Sequence, residues 1–213
     1  NNKKTFSKVK KNISTGSFFL EKTISTNKVS SDNQYNFYDV LCLGGNLLYP
    51  NSYMDTYQNH SEDYIEHLEW LLKFSLEHPE LKFGFKHHGN NKNKFEENFL
   101  KKSRVKMVNQ SLDSYKLADN ANFLCSWGSS MIVEMSQFNK PCFFLDPKGR
   151  NQQILSQIKN SGNIRIKSYQ SFKKKFFDVK KKHFKIRNLN YCDDSKNVSN
   201  KIYNFLKKNL YEK

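Results

Sequence analysis

The segment SWGSSMIVEM (126–135) places two hydroxyls and a carboxylate where an apolar run meets a helical pattern. Gly128 permits a tight turn and the close approach of a ligand. Ser129 or Ser130 is suited to cap the following helix, where backbone N–H groups without helical partners attract an anion. Glu134 lies one turn after Ser130, where a carboxylate can accept hydrogen bonds from a diol. The pattern indicates either a phosphate site beside a ribose or sugar, or a plain serine cap followed by a solvated glutamate.

These side chains would be positioned by short apolar runs that alternate with amphipathic helical patterns. Strands are predicted at 37–43, 81–85, 104–108, 122–127, 141–146 and 164–169. Helices are predicted after Ser61, across 92–102, after Ser111, and across 130–139, 150–160, 171–184 and 196–211. In the first helix, Ile65, Leu68, Leu72 and Leu76 would form the buried face. This alternation predicts an α/β fold, a Rossmann-like parallel sheet with helices on both faces.

In such a sheet, a ligand binds at the carboxyl ends of the strands. The residues that follow the predicted strands are therefore candidates as a set: Gly44, Gly45, Asn46, His87, His88, Asn109, Gly128, Ser129, Ser130, Asp146 and the loop to Arg150. Side chains of neighbouring strand residues point to opposite faces, so only one of His87 and His88 is expected to face a ligand. A bound phosphate would favour the imidazolium form of His88.

The stretch ADNANFLCSWGSSMIVEMSQFNKPCFFLDP (118–147) resembles the C-terminal half of GT-B glycosyltransferases, especially bacterial enzymes of capsule and surface polysaccharide synthesis. FKHHG (85–89) is similar to their Lys-x-His-Pro element, whose His contacts the donor phosphate. Lys86 and His88 match that element, and Gly89 replaces its Pro. Ser129 and Ser130 match a Ser-Ser element that contacts the nucleotide phosphate in bacterial sialyltransferases.

Two further positions follow from the same resemblance. The turn that carries Asn46 faces the domain cleft in that family. Arg150 follows the last strong strand, where a cation would meet the diphosphate or the sugar. The resemblance thus implies a donor-nucleotide site made of Lys86, His88, Gly128, Ser129, Ser130, Glu134, Asn46 and Arg150.

The implied reaction is the transfer of a sugar, or a related group, from a nucleotide donor to a growing surface glycan. This chain would supply the donor-binding domain, one half of a GT-B architecture, and the acceptor would be a glycan or a lipid-linked glycan. GT-B enzymes are usually independent of metals and the sequence has no DxD motif, so neither a metal nor another cofactor is expected. The catalytic base, which the family usually carries in its N-terminal domain, is not identified.

Other functions stay open. The layout also resembles UDP-N-acetylglucosamine 2-epimerases, although Val133 stands where their pattern has a second Glu. A non-catalytic glycan-assembly partner is another possibility. A basic nucleic-acid-binding module would suit the net charge of +16, but no reader motif is present and no specific nucleic acid is expected.

The basic charge is concentrated in residues 165–187, which contain ten Lys or Arg and a single acid, Asp178. A helix there with Phe172 and Phe176 on one side would either pack on the sheet or lie on an anionic membrane. The first 20 residues contain no signal-peptide pattern, and no apolar run approaches the roughly 18 residues of a membrane helix. We therefore expect a cytoplasmic protein, located peripherally at the inner face of the plasma membrane if the basic helix binds lipid.

The predicted domain organisation has three parts. Residues 1–34 are a polar peripheral or disordered segment, 35–170 are the Rossmann-like nucleotide-binding domain, and 171–213 are basic C-terminal helices packed on that domain.

Overall fold

The computed structural model describes residues 37–45, 57–89, 95–136, 140–149, 164–181 and 198–208, with only the backbone at 57–61. Strands and helices alternate over most of this part of the chain. The elements are β1 (Tyr38–Leu43), α1 (Tyr57–Glu77), β2 (Phe83–Lys86), α2 (Phe95–Leu100), β3 (Val105–Met107), α3 (Ser114–Asp119), β4 (Ala121–Ser126), α4 (Met131–Ser136), β5 (Cys142–Leu145), β6 (Arg165–Ile166), α5 (Tyr169–Lys180) and α6 (Val198–Leu206).

The six strands found in the described residues form one sheet in the order β3-β2-β1-β4-β5-β6, and every neighbouring pair is parallel. Side chains that alternate along each strand supply two separate cores. Val40 and Cys42 of β1 face the core that includes α1 and α5, whereas Leu41 and Leu43 face the core that includes α3 and α4. The predicted Rossmann-like α/β fold is confirmed.

The first helix differs from its prediction in its start and in its buried face. α1 begins at Tyr57, earlier than the predicted start after Ser61. Its core residues are Tyr64, Leu68, Leu71 and Phe74, whereas Leu76 is 50% exposed. The prediction chose aliphatic residues at helical spacing and left out Tyr64 and Phe74, whose rings fill more of the space beside the sheet.

The helix α3 begins at Ser114, slightly later than the predicted start after Ser111. Asp113 is its N-cap, and its carboxylate accepts hydrogen bonds from the backbone N–H groups of Tyr115 and Lys116. Ser111 instead bonds to the side chain of Asn109 through both its N–H and its hydroxyl. This turn brings the start of α3 to the carboxyl edge of the sheet.

The apolar side of α5 belongs to the core. Phe172 is fully buried, Phe176 is 2% exposed, and both rings contact Phe74 and Phe123. These two rings therefore cannot insert into a membrane, which corrects the membrane interpretation of this face. Lys174 is exposed, Lys175 Nζ lies 6.0 Å from the centroid of the Phe143 ring, and Lys173 forms a 2.7 Å ion pair with Glu77 of α1.

Contacts divide the chain into two compact units. Asp32–Leu189 contains the whole described sheet together with α1–α5, and Asn1–Ser31 with Asn190–Lys213 form the other unit. The described part of the second unit is α6 with the two residues after it, where Val198 is buried and Tyr203 is 63% exposed. Residues 1–34 lie outside the described residues, and the three predicted domain boundaries stay predictions. Among the helices described, none is both long and apolar enough to cross a membrane.

Candidate functional site

The sheet contains one point where its strand order reverses. From β1, the chain builds outward through β2 and β3 on one side, then returns to β4 on the other side and continues to β5 and β6. Loops at the carboxyl ends of β1 and β4 therefore leave in opposite directions and open a crevice, which is the usual ligand position in this fold class. A cleft of about 290 Å³ lies at this edge, lined by Leu43, Gly44, Lys86, His87, His88, Gly89, Gln110, Leu112, Ser114, Ser129 and Met131.

Two glycines allow the loops at this edge to converge. A Cβ atom on Gly44 would lie 3.1 Å from the backbone nitrogen of His88 and 3.2 Å from the carbonyl oxygen of Lys86. A Cβ atom on Gly45 would lie 3.1 Å from the Trp127 ring. Both glycines are buried, so any side chain larger than hydrogen would push the β1 end away from the loops beside it.

Lys86 lines the cleft, but its ammonium group is turned toward a loop. Nζ donates to the carbonyl oxygens of Asn109, Gln110 and Leu112 at 3.4, 2.9 and 2.8 Å. An ammonium group has three N–H donors, so these bonds use all of them. Burial lowers the pKa of Lys86, and the nearby carboxylate of Asp113 opposes that shift. In this arrangement Lys86 fixes the loop after β3, and its predicted contact with a phosphate stays a prediction without geometric support.

The turn after β4 is held by a serine that the sequence analysis left out. Ser126 Oγ accepts hydrogen bonds from the backbone N–H groups of Gly128 and Ser129, at 3.2 and 3.0 Å. These two amides are therefore not free for an anion, which corrects one part of the predicted site. Ser129 lines the cleft, and its Oγ accepts a hydrogen bond from the N–H of Met131 at 3.4 Å. The described residues supply no hydrogen-bond partner for the N–H or the hydroxyl of Ser130.

Glu134 is anchored by a tyrosine from the neighbouring helix. The Tyr115 hydroxyl in α3 donates a short hydrogen bond to Glu134 Oε2, and the pKa of Tyr115 is raised by burial and by this carboxylate. Glu134 is half-buried and is not part of the cleft lining. The bond occupies one oxygen of the carboxylate, and the predicted contact of Glu134 with a diol stays a prediction.

Both histidines after β2 line the cleft, which corrects the expectation that only one would. The strand ends at Lys86, so the alternation of strand side chains no longer applies at His87 and His88. His87 Nδ1 lies 3.3 Å from Oε2 of Glu96, a fully buried residue of α2. The Tyr64 hydroxyl of α1 donates to Glu96 Oε1 at 2.9 Å. Burial, followed by the charge of Glu96, strongly raises the pKa of Tyr64.

The remaining predicted residues lie apart from the cleft or outside the described part of the chain. Asn46 and Arg150 fall in the latter group, so their predicted roles stay predictions. Asp146 is buried and holds Arg165 Nε at 2.7 Å, which gives it a structural role. Gly128 and Ser130 belong to the turn beside the cleft without lining it. No group of three or more His, Cys, Asp or Glu residues suited to a metal ion occurs in the ranges that the structure describes.

The sequence analysis missed Gln110, Ser114, Ser126, Tyr115 and Glu96. Gln110 and Ser114 follow β3, whose carboxyl end was already a candidate through Asn109, so the topology carried a usable signal for them. Ser126 is the last residue of a strand, and the sequence carried no signal for its role beyond that position. Tyr115 bonds to Glu134 and Glu96 lies beside His87, and such pairings between distant segments have no local pattern in a single sequence.

No protein-family model and no curated protein matches the sequence. Among solved structures, the UDP-GlcNAc 2-epimerase from Neisseria meningitidis bound to UDP-GlcNAc has a TM-score of 0.54 at 15% identity, over 90% of this chain and 50% of that chain. The S. aureus MnaA-UDP co-structure has a TM-score of 0.56 at 15% identity, over 92% of this chain and 53% of that chain. These likenesses show the fold. The chain spans about half the length of each of these two proteins.

Proposed function

We propose that the cleft at the carboxyl edge binds a nucleotide-activated sugar and that this chain is the donor-binding part of an enzyme. The observation that carries the proposal is the position of the cleft. It opens where the strand order reverses, and His87, His88, Ser114 and Ser129 border it together. Imidazole and hydroxyl groups on loops that are fixed by hydrogen bonds suit a diphosphate without requiring a metal.

The fold likeness supports the same ligand class. One of the two similar structures is bound to UDP-GlcNAc and the other contains UDP. We place the diphosphate between the loops after β2 and β4, where His88 and Ser129 supply donors. Ser130 would add its N–H and hydroxyl at the rim, since neither has a partner among the described residues, and Glu134 Oε1 would accept from the ribose.

For the complete reaction, we propose transfer of the sugar to a growing surface glycan. The order and spacing of the Lys-x-His and Ser-Ser elements support this reading. A sugar-nucleotide 2-epimerase is the second candidate, and the structural likeness to an enzyme of that name favours it. In both cases the cleft would hold the nucleotide, and the two reactions differ in what attacks or leaves the sugar.

Calorimetric titration of the full chain tests the shared step. UDP, UDP-GlcNAc, CDP, CMP, UMP, GDP and ADP should be compared at one ionic strength. We expect a pyrimidine nucleotide to bind with micromolar to millimolar affinity, and chemical-shift changes to concentrate at His88, Gln110 and Ser129. Flat titrations for every nucleotide, with a folded sample, would reject the proposal.

A second experiment separates the two reactions. An epimerase inverts the configuration at C2 of the sugar without an acceptor, which proton NMR of UDP-GlcNAc detects directly. A transferase releases free nucleotide only when an acceptor glycan is added. Inversion without an acceptor would replace the transferase proposal by the epimerase one and would leave the nucleotide site intact.

A further inference from the structure

Behind the cleft, three side chains from three different elements form a connected row. His87 follows β2, Glu96 lies in α2, and Tyr64 lies in α1. The Tyr64 hydroxyl donates to one oxygen of Glu96 at 2.9 Å, and the other oxygen lies 3.3 Å from His87 Nδ1. The side chain of Glu96 is completely buried, whereas that of His87 is 13% exposed and lines the cleft. The row therefore joins a buried carboxylate to the ligand cleft.

The orientation of His87 assigns different tasks to its two ring nitrogens. Nδ1 is buried and has the Glu96 carboxylate beside it, at a distance typical of an ion pair although not aligned as a hydrogen bond. A carboxylate only accepts hydrogen bonds, so it favours a proton on Nδ1. The edge of the ring that carries Nε2 is then the one that meets a ligand.

We propose that His87 takes up a proton when the cleft binds a diphosphate, and that Glu96 and Tyr64 position its ring. This inference rests on the proposed function. With the ligand bound, the imidazolium would lie between a buried carboxylate and a phosphate, and both anions stabilise it. Burying Glu96 without a cation or hydrogen bonds would be costly, so the row also keeps the carboxylate compensated. Among the described residues, Glu96 faces His87 from α2 with Tyr64 of α1 behind it, Lys86 and His88 flank it in the chain, and the charge of Asp113 acts on Lys86.

His67 and His78 lack this combination of a buried carboxylate partner and a place in the cleft lining. His67 is fully buried, with Nδ1 at 2.6 Å from the Tyr64 carbonyl oxygen and Nε2 at 3.9 Å from Cys42 Sγ, so its ring serves the core. His78 also pairs with a glutamate, Glu80, at 3.4 Å, but the Glu80 side chain is 60% exposed and this pair lies away from the cleft lining. His78 therefore offers a matched control for His87.

Titration calorimetry with UDP-GlcNAc, in buffers of different ionisation enthalpy near neutral pH, measures the protons taken up per ligand bound. UDP-GlcNAc is the right probe because its diphosphate is esterified at both ends and does not itself titrate there. We expect net proton uptake with the wild-type full chain. His87→Gln should abolish the uptake and weaken binding roughly ten- to hundredfold, as expected when a charge-assisted hydrogen bond is lost.

The positioning residues have a distinct signature. Glu96→Gln can keep an acceptor for the Tyr64 hydroxyl and removes the charge, so it should reduce the proton uptake with a smaller loss of affinity. Tyr64→Phe, a second variant in case Glu96→Gln does not fold, should act in the same direction more weakly. His78→Gln should change neither quantity. Circular dichroism verifies that each variant is folded.

Unchanged proton uptake in folded His87→Gln would overturn the inference, as would abolished uptake in His88→Gln with His87 intact. Nitrogen-15 NMR of the ligand-free protein adds a separate test, because it identifies the ring nitrogen of neutral His87 that carries the proton. In the wild type we expect the proton on Nδ1. A proton on Nε2 would by itself refute the positioning of His87 by Glu96 and Tyr64. If no nucleotide binds while the tautomer is as expected, the proposed function and the ligand role of His87 fail, and the positioning of His87 by Glu96 stands.

Discussion

Two clefts lie at opposite edges of the same sheet. The larger one has polar side chains that are held less firmly in place. The cleft at the amino edge measures about 580 Å³, and its described lining is Phe37, Tyr38, Pro79, Glu80, Leu81, Lys82, Phe83, Arg104 and Lys106. The carboxyl-edge cleft has about half that volume, 290 Å³. Size alone would choose the amino edge.

The polar groups of the two clefts differ in how they are held. At the carboxyl edge, Lys86 is fixed by three carbonyl groups and the turn before Ser129 by Ser126, and the Glu96 carboxylate lies 3.3 Å from His87 Nδ1. At the amino edge, the charged side chains of Lys82, Glu80, Arg104 and Lys106 belong to exposed residues. Positioned polar groups recognise a ligand without first losing conformational entropy, so order is a better guide than volume.

The sharpest way to break this comparison is to close the carboxyl-edge cleft. Gly44→Val would place side-chain atoms against the backbone of Lys86 and His88, which cannot move aside cheaply. We expect nucleotide affinity to fall roughly a hundredfold, because the loops that carry the donors must move apart and a lost charge-assisted hydrogen bond costs roughly 1.5–3 kcal/mol. Calorimetry measures this, with thermal denaturation to confirm folding, because overpacking costs about 1–3 kcal/mol of stability. Normal affinity in a folded variant would place the nucleotide elsewhere.

A second test removes polar side chains at each edge of the sheet in turn and compares the effect on nucleotide affinity. The double variant Ser129→Ala with Ser130→Ala should weaken nucleotide binding roughly tenfold, since it removes hydroxyl donors from the phosphate. Loss of a serine cap should lower the free energy of unfolding by only about 1 kcal/mol. The matched double variant at the amino edge, Arg104→Ala with Lys106→Ala, should leave the affinity within about twofold. The opposite pattern would reverse the assignment of the two edges.

The smallest effect concerns stability in alkali. An unfolded tyrosine releases its proton near pH 10, whereas folded Tyr64 keeps it because its pKa is raised. The unfolded state therefore binds fewer protons above that pH, and stability should decline as pH rises. At pH 11 this one residue should cost roughly 1.4 kcal/mol. Urea denaturation between pH 9 and 11 should show a shallower decline in Tyr64→Phe and an unchanged decline in Tyr203→Phe, whose ring is largely exposed.

The sheet could be predicted because each strand is a short apolar run with its own local signal. All six predicted strands are present, and the ends of β2 and β4 correctly mark the edge of the cleft. The helix faces were harder, since a helix with Lys on one side and Phe on the other suits either a membrane or a core. For α5, the choice depended on Phe74 and Phe123, which are distant in sequence.

The candidate site was predictable in its location and less so in its contacts. Topology alone brings His88 and Ser129 to one edge. The side-chain partners of these loops come from elsewhere in the chain: Glu96 beside His87, and Tyr115 on Glu134. Such partners are selected by packing, which the spacing of residues in a sequence does not encode.

The three hydrogen bonds of Lys86 have a consequence for how the sequence of this cleft can change in evolution. All three acceptors are main-chain carbonyls, so the anchor depends on the path of the loop and not on its side chains at Asn109, Gln110 and Leu112. Substitutions at Gln110 and Leu112, which line the cleft, can alter the shape and polarity of its wall while Lys86 holds the loop in place. The backbone of the loop can therefore be conserved in evolution while the side chains that line the cleft vary.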